Sequence, residues 1–166
     1  TYLSHLTNHQ SSMSPTNYWL IPVVALIPLA VGFVYYSPVL FHNAWRESAG
    51  LTEEEVAGGN MLKIFVLTYL YSLFIAAFLL PSVIHQLNLG GIFGMLPEFN
   101  EAGSVLWQDL ASLDEKYELF TRHRHFGHGA LHGGIVALFF VGPLFWINAL
   151  FERRSWKYML IHTGYW

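Results

Sequence analysis

The sequence predicts an all-α fold: a polytopic membrane bundle with three full transmembrane helices, a fourth partial one, and amphipathic helices in the loops. Three observations predict it. Only 11% of the 166 residues are charged and 54% are hydrophobic, whereas a water-facing domain carries about 25% charged residues. Three apolar runs are each about long enough to cross a ~30 Å hydrocarbon layer. Aromatic and basic residues bound those runs, as they do at membrane–water interfaces.

Residues 1–17, TYLSHLTNHQSSMSPTN, read as a flexible polar tail; they lack the basic start and apolar run of a secretory signal. The first span is expected over about 18–36, with Tyr18 and Trp19 at one interface and Tyr35 and Tyr36 at the other. Pro22 falls in its first turn, and internal Pro28 should kink it. Ser37 as cap, Pro38 at the first helical position and Gly50 as stop predict a short helix over about 38–49. Phe41, Ala44, Trp45 and Ser48 share one of its faces, which suits a helix lying in the membrane plane. Thr52 and Glu55 have capping-box spacing and start another helix.

The second span is expected over about 61–80, where Lys63 can snorkel and Pro81 ends or bends the run. The Gly- and Pro-broken stretch that follows leads into an amphipathic helix over about 104–122. Its stripe is Leu106, Leu110, Leu113, Tyr117 and Phe120 at steps of four, three, four and three. Such a stripe packs either on its own protein or, with Trp45, on a partner or headgroups. The third span is expected over about 129–150, with Pro143 and several glycines allowing bends or close helix contacts. FERRSWK then forms a charged stop. Segment four, about 155–166, covers roughly 18 Å at 1.5 Å per residue and is incomplete as a span; its helix is expected to continue further. Arg46, Lys63, Arg153, Arg154 and Lys157 fall on one side, Lys116, Arg122 and Arg124 on the other. In a cell membrane, the basic excess puts the tail and the His-rich loop on the non-cytoplasmic side.

Several function classes are excluded or disfavoured. With no cysteine there is no thiolate metal site, disulfide or cysteine nucleophile. A net charge of −3 argues against nucleic acid. No Ser-His-Asp set, phosphate cradle or nucleotide fingerprint is present. The chemistry-bearing feature is HRHFGHGALHGG, residues 123–134, with four histidines. His128 and His132 are four apart and face one way on a helix, a spacing that can hold zinc or iron. His123 and His125 precede them, and His85 ends the second span on the same side. His162, about 10 Å into segment four at 1.5 Å per residue, needs a partner at that depth, and a histidine of the third span is one candidate. His128, His132 and His162 are therefore the candidate metal ligands. A hydrogen-bonded structural network and a proton-handling group remain open beside the metal reading.

Three patches carry a resemblance: VGFVYYSPVLFHNAWRESAGLTEEEVAGGN, HGALHGGIVALFFVGPLFWINALFERRSWK and the ending IHTGYW. They are similar to a family of small bacterial and fungal multi-pass membrane proteins, domain of unknown function 1761. The matching features are Tyr36, Ser37, Pro38 and Trp45, the His-Gly pairs at His128–Gly129 and His132–Gly133, and the stop from Asn148 to Arg154. The resemblance covers about residues 20–166, apart from much of the 82–124 loop, which is larger here than in compact members. Members usually carry a complete fourth helix. The resemblance implies four transmembrane helices and transfers no activity or catalytic residue. The sequence thus favours a non-catalytic membrane protein, an accessory or scaffold subunit whose partners are lipid and other integral membrane subunits or itself. The alternative is a histidine-based metal-binding enzyme or a metal- or proton-handling protein using His128 and His132.

Overall fold

A computed structural model describes residues 16–166, so the tail expected at 1–17 lies almost wholly outside the described residues. Among these residues every regular element is helical. Helices α1 (Leu20–Val24) and α2 (Ile27–Tyr35) replace the single span expected at 18–36. Pro28 has no N–H to give Val24, and its ring would press on that carbonyl. The chain therefore tightens at Ala25–Leu26, where Leu26 N–H donates to Val23 O at 3.1 Å, three residues back. Even end to end, α1 and α2 cover only about 24 Å at 1.5 Å per residue.

The helix expected over 38–49 starts later, as α3 (His42–Ala49), because Ser37 and Pro38 open a turn instead: Leu40 and His42 N–H both donate to Ser37 O. Gly50 ends α3 at φ 73°, a left-handed position that suits glycine. The capping box forms as expected. Thr52 N–H donates to Glu55 Oε2 at 2.8 Å, and Glu55 N–H donates to Thr52 Oγ1 at 3.2 Å, opening α4 (Glu53–Ala57). The Thr52 backbone N–H, and to a smaller extent the Thr52 side chain, hold the Glu55 carboxyl below the usual range.

Two helices are long and apolar enough to cross a membrane by length and composition: α5 (Met61–Val83) and the run Phe126–Phe151. Of the three full spans expected, only these two are long and apolar enough among the described residues. The second run comprises α9 (Phe126–Val136), a π-helical turn at Ala137–Val141 and α10 (Gly142–Phe151). Pro143 cannot donate to Phe139 and its ring needs room. The wider π turn just ahead of it supplies that room without ending the helix.

The chain forms two compact units, with divisions inside α5 and α9. In the unit of Trp19–Ala77 and Ala130–Trp166, α11 (Trp156–Tyr165) packs on α10, the π turn, α2 and α3. Ser155 caps α11 by accepting from Tyr158 N–H. Ala25, Ala149, Met159 and Ile161 are buried. The polar tips between these helices find backbone acceptors: Tyr35 donates to Ile161 O at 3.0 Å and Tyr165 to Pro28 O at 2.7 Å. Trp146 Nε1 donates to Thr163 Oγ1 at 2.9 Å, which donates in turn to Met159 O. A Cβ at Gly142 would lie 3.0 Å from Ala137 O and 3.1 Å from Thr163 Cγ2, so glycine is what admits α11 here.

The unit of Phe78–Gly129 holds α6 (Leu87–Phe93), α7 (Pro97–Asn100) and α8 (Val105–Tyr117). Helix α8 starts on the Ser104 cap and stops at Glu118, φ 54°, short of the expected end at 122. Trp107, Leu110 and Phe120 form the core, with Leu89, Phe93, Phe99, Leu106 and Leu119 against it. Trp107 stacks on Phe99 and donates to its carbonyl at 2.8 Å. The buried face of α8 thus runs through Trp107, outside the expected stripe, while Leu113 and Tyr117 are 45% and 48% exposed. Phe120 lies beyond the helix and enters the core from the following turn, where its N–H donates to Asp114 Oδ1 at 2.8 Å. Trp107→Ala is expected to destabilise this unit by about 3–5 kcal/mol. The check is accelerated tryptic cleavage at Lys116 and Arg122 together with loss of near-ultraviolet circular dichroism.

Candidate functional site

The unit built on Trp107 holds two chain segments that carry histidines. His85 lies just past the end of α5, in the turn where Leu87 N–H donates to Ile84 O and Asn88 N–H to His85 O. Gln86, next in sequence and buried, sends its amide across: Nε2 donates to Leu119 O at 3.1 Å and to Arg122 O at 2.9 Å. One side chain therefore ties the His85 turn to the stretch that delivers His123, and it satisfies two carbonyls that no helix uses. The stretch itself folds tightly, with Arg122 N–H donating to Glu118 O at 2.8 Å and Arg124 N–H to Thr121 O at 3.2 Å.

His123 sits at φ 65°, in the left-handed region that costs energy for a residue with a Cβ. That conformation lays its ring on His128, with centroids 4.9 Å apart and planes 20° from parallel. His125 acts locally. It precedes α9, and its Nδ1 accepts the N–H of His128 at 3.3 Å. This is the N-cap geometry usually made by Ser, Thr, Asp or Asn. It leaves the proton of a neutral His125 ring on Nε2.

His128, in the first turn of α9, meets His85: the two Nε2 atoms are 3.0 Å apart and the rings stand edge-on, centroids 5.0 Å apart. Gly129 lies alongside, where a Cβ would be 3.7 Å from Val83 Cγ1. His132 is four residues along the same helix and so on the same face as His128.

The third expected ligand, His162, has a different setting, on α11. It stacks on Phe145 with centroids 5.5 Å apart and contacts the Tyr158 ring at 4.3 Å. Its Nδ1 is 3.5 Å from the Tyr36 hydroxyl, and its Nε2 is buried with no hydrogen-bond partner. The polar neighbour that the sequence led us to seek in a histidine is here a tyrosine. Trp45 is half-buried and edge-on to Tyr36. Leu106, Leu110 and Phe120 serve the core around Trp107, leaving Leu113 and Tyr117 as the outward members of the stripe. Sequence reasoning did not place His85 among the ligands and overlooked Gln86. His85 is 43 residues from His128, and no local spacing joins them.

The profile of the family described as protein of unknown function (DUF1761) matches residues 19–166. The chain belongs to this family. No curated protein and no solved structure matches it. The matched span takes in the whole histidine cluster as well as both long apolar helices. In this DUF1761 chain, Gln86→Leu is expected to leave two carbonyls unpaired and to cost about 1–3 kcal/mol. Tryptic cleavage after Arg122 and Arg124 should speed up while overall helical circular dichroism holds. Unchanged cleavage kinetics would contradict the tie ascribed to Gln86.

Proposed function

We propose that this DUF1761 member is a non-catalytic, multi-pass integral membrane protein acting as an accessory or scaffold subunit. The observation that carries the reading is the lack of protein cover on its two longest helices. In the most apolar window of α5 only 6% is buried, and in that of the Phe126–Phe151 run 17%. A core helix of a water-soluble protein of that composition would be mostly buried. Phe74, Phe78 and Phe139 are each more than 70% exposed, a costly arrangement in water and an ordinary one in hydrocarbon.

The packing role draws on a second feature of the same helices. Gly133 and Gly134 of α9 have nothing within 4 Å of the position a Cβ would take. Small residues on an apolar helix let a second helix approach closely, and here that approach is open. Leu113 and Tyr117 add exposed apolar surface on α8. The partners expected on this reading are lipid and the helices of other membrane subunits or of a second copy.

Two measurements test it. The chain should stay with the membrane pellet through alkaline carbonate washing, and Phe74→Arg should cost insertion by about 3–4 kcal/mol. Release of the unaltered chain into the wash would remove the membrane reading. Solubilised in mild detergent from native membranes, the chain should migrate as a larger assembly that a Gly133→Leu, Gly134→Leu double variant disperses. A chain that always migrates alone would remove the scaffold reading.

A further inference from the structure

We propose that His85 and His128, with His132 as the next imidazole along α9, bind one divalent transition-metal ion of the zinc class. The inference stands apart from the membrane and scaffold reading, because it depends only on how the imidazoles are held.

The distance between the two rings comes first. Two Nε2 atoms 3.0 Å apart either share a proton or share a metal. A tetrahedral zinc with Zn–N bonds of about 2.0–2.1 Å holds its nitrogen ligands roughly 3.3 Å apart. A shift of a few tenths of an ångström therefore converts the observed pair into two corners of such a site. Helix α9 contributes the third corner: residues four apart on one helix present their side chains together, as two histidines do in zinc-binding helices.

Contacts that stabilise this unit also hold the rings in place. Gln86 anchors the turn beside His85 to Leu119 O and Arg122 O. His123 accepts a left-handed backbone and stacks flat on His128. His125 caps α9 and so fixes where the first turn begins, which sets the direction of His128. Ligand histidines need this kind of outer support, because an imidazole free to rotate binds a metal weakly.

The donor set selects the class of ion. Imidazole nitrogen suits zinc, copper, nickel and iron, while magnesium and calcium take oxygen ligands. Three protein nitrogens leave a tetrahedral ion one further position, filled by water or by a group the ion recognises.

The test uses the full chain in mild detergent, carrying a tag without histidines. It is stripped with chelator, loaded with zinc(II) alone and desalted. The unaltered chain should retain one zinc per chain, measured by elemental analysis, and zinc should raise its thermal midpoint. His85→Gln and His128→Gln should each weaken zinc binding by at least about 10- to 100-fold, the loss that even an outer-shell change causes. They should also abolish the thermal shift, whereas His42→Gln should do neither. Retention of no zinc by the unaltered chain, or equal retention by both cluster variants, would overturn the proposal. Where a cluster variant loses its helical circular dichroism, cobalt(II) on the unaltered chain decides. Visible bands of a tetrahedral nitrogen-ligated cobalt, bleached by zinc, support the site; their absence overturns it.

Discussion

Water-soluble domains are stabilised by moving apolar side chains out of water, and this chain moves few of them. Among the described residues the buried hydrophobic set is Ala25, Trp107, Leu110, Phe120, Ala149, Met159 and Ile161, two of which are alanines. Phenylalanines, leucines and isoleucines along α5 and the Phe126–Phe151 run stay on the outside. A non-aqueous surrounding for those two helices, as proposed, removes the contradiction, and other features follow from it. Backbone groups in hydrocarbon must be satisfied within their own segment, and regular structure among the described residues is all helical. The turn ahead of Pro143 stays hydrogen-bonded by widening to a π turn instead of opening.

Within the unit that holds α11, cohesion comes from close approach and from phenol tips rather than from buried area. Gly142 admits Thr163, and Gly32 admits the Tyr165 ring at ordinary contact distance. Tyr35 and Tyr165 each span two helices, with the ring packed among aromatics and the hydroxyl given to a backbone carbonyl. Carbonyls at Pro28 and Ile161 thereby gain donors from outside their own helix. The unit around Trp107 is organised differently. It has a small conventional core, a stacked indole and a buried glutamine, the arrangement expected of a chain segment that faces water.

The legible parts of the sequence were those set by local rules. The apolar runs at 61–80 and 129–150 are helical as expected, the Thr52–Glu55 box closes, and Gly50 takes the left-handed stop. What escaped depended on competition or distance. Pro28 was expected to bend one long helix, but losing the Val24 bond and crowding its carbonyl split it in two. The α8 stripe read a run of heptad-like spacing through to Phe120, yet Glu118 ends the helix, and the indole of Trp107 outweighs Leu113 in claiming the inner face. At the site, His128 and His132 were visible through their spacing. His85 was placed on the same side but not among the ligands, because it is 43 residues from His128 and no local spacing joins them. His162 could be placed on α11 from sequence, but its Tyr36 neighbour comes from 126 residues away.

The absence of cysteine makes the central claim directly measurable. Single cysteines at Phe74, Phe139 and Met95 can be probed with a membrane-impermeant maleimide in native membrane fragments open on both faces. Met95, 94% exposed in the unit around Trp107, should label readily. Phe74→Cys and Phe139→Cys, although bare of protein cover, should stay unlabelled until detergent is added. Ready labelling at 74 and 139 in intact membrane would show water along those helices and contradict the account.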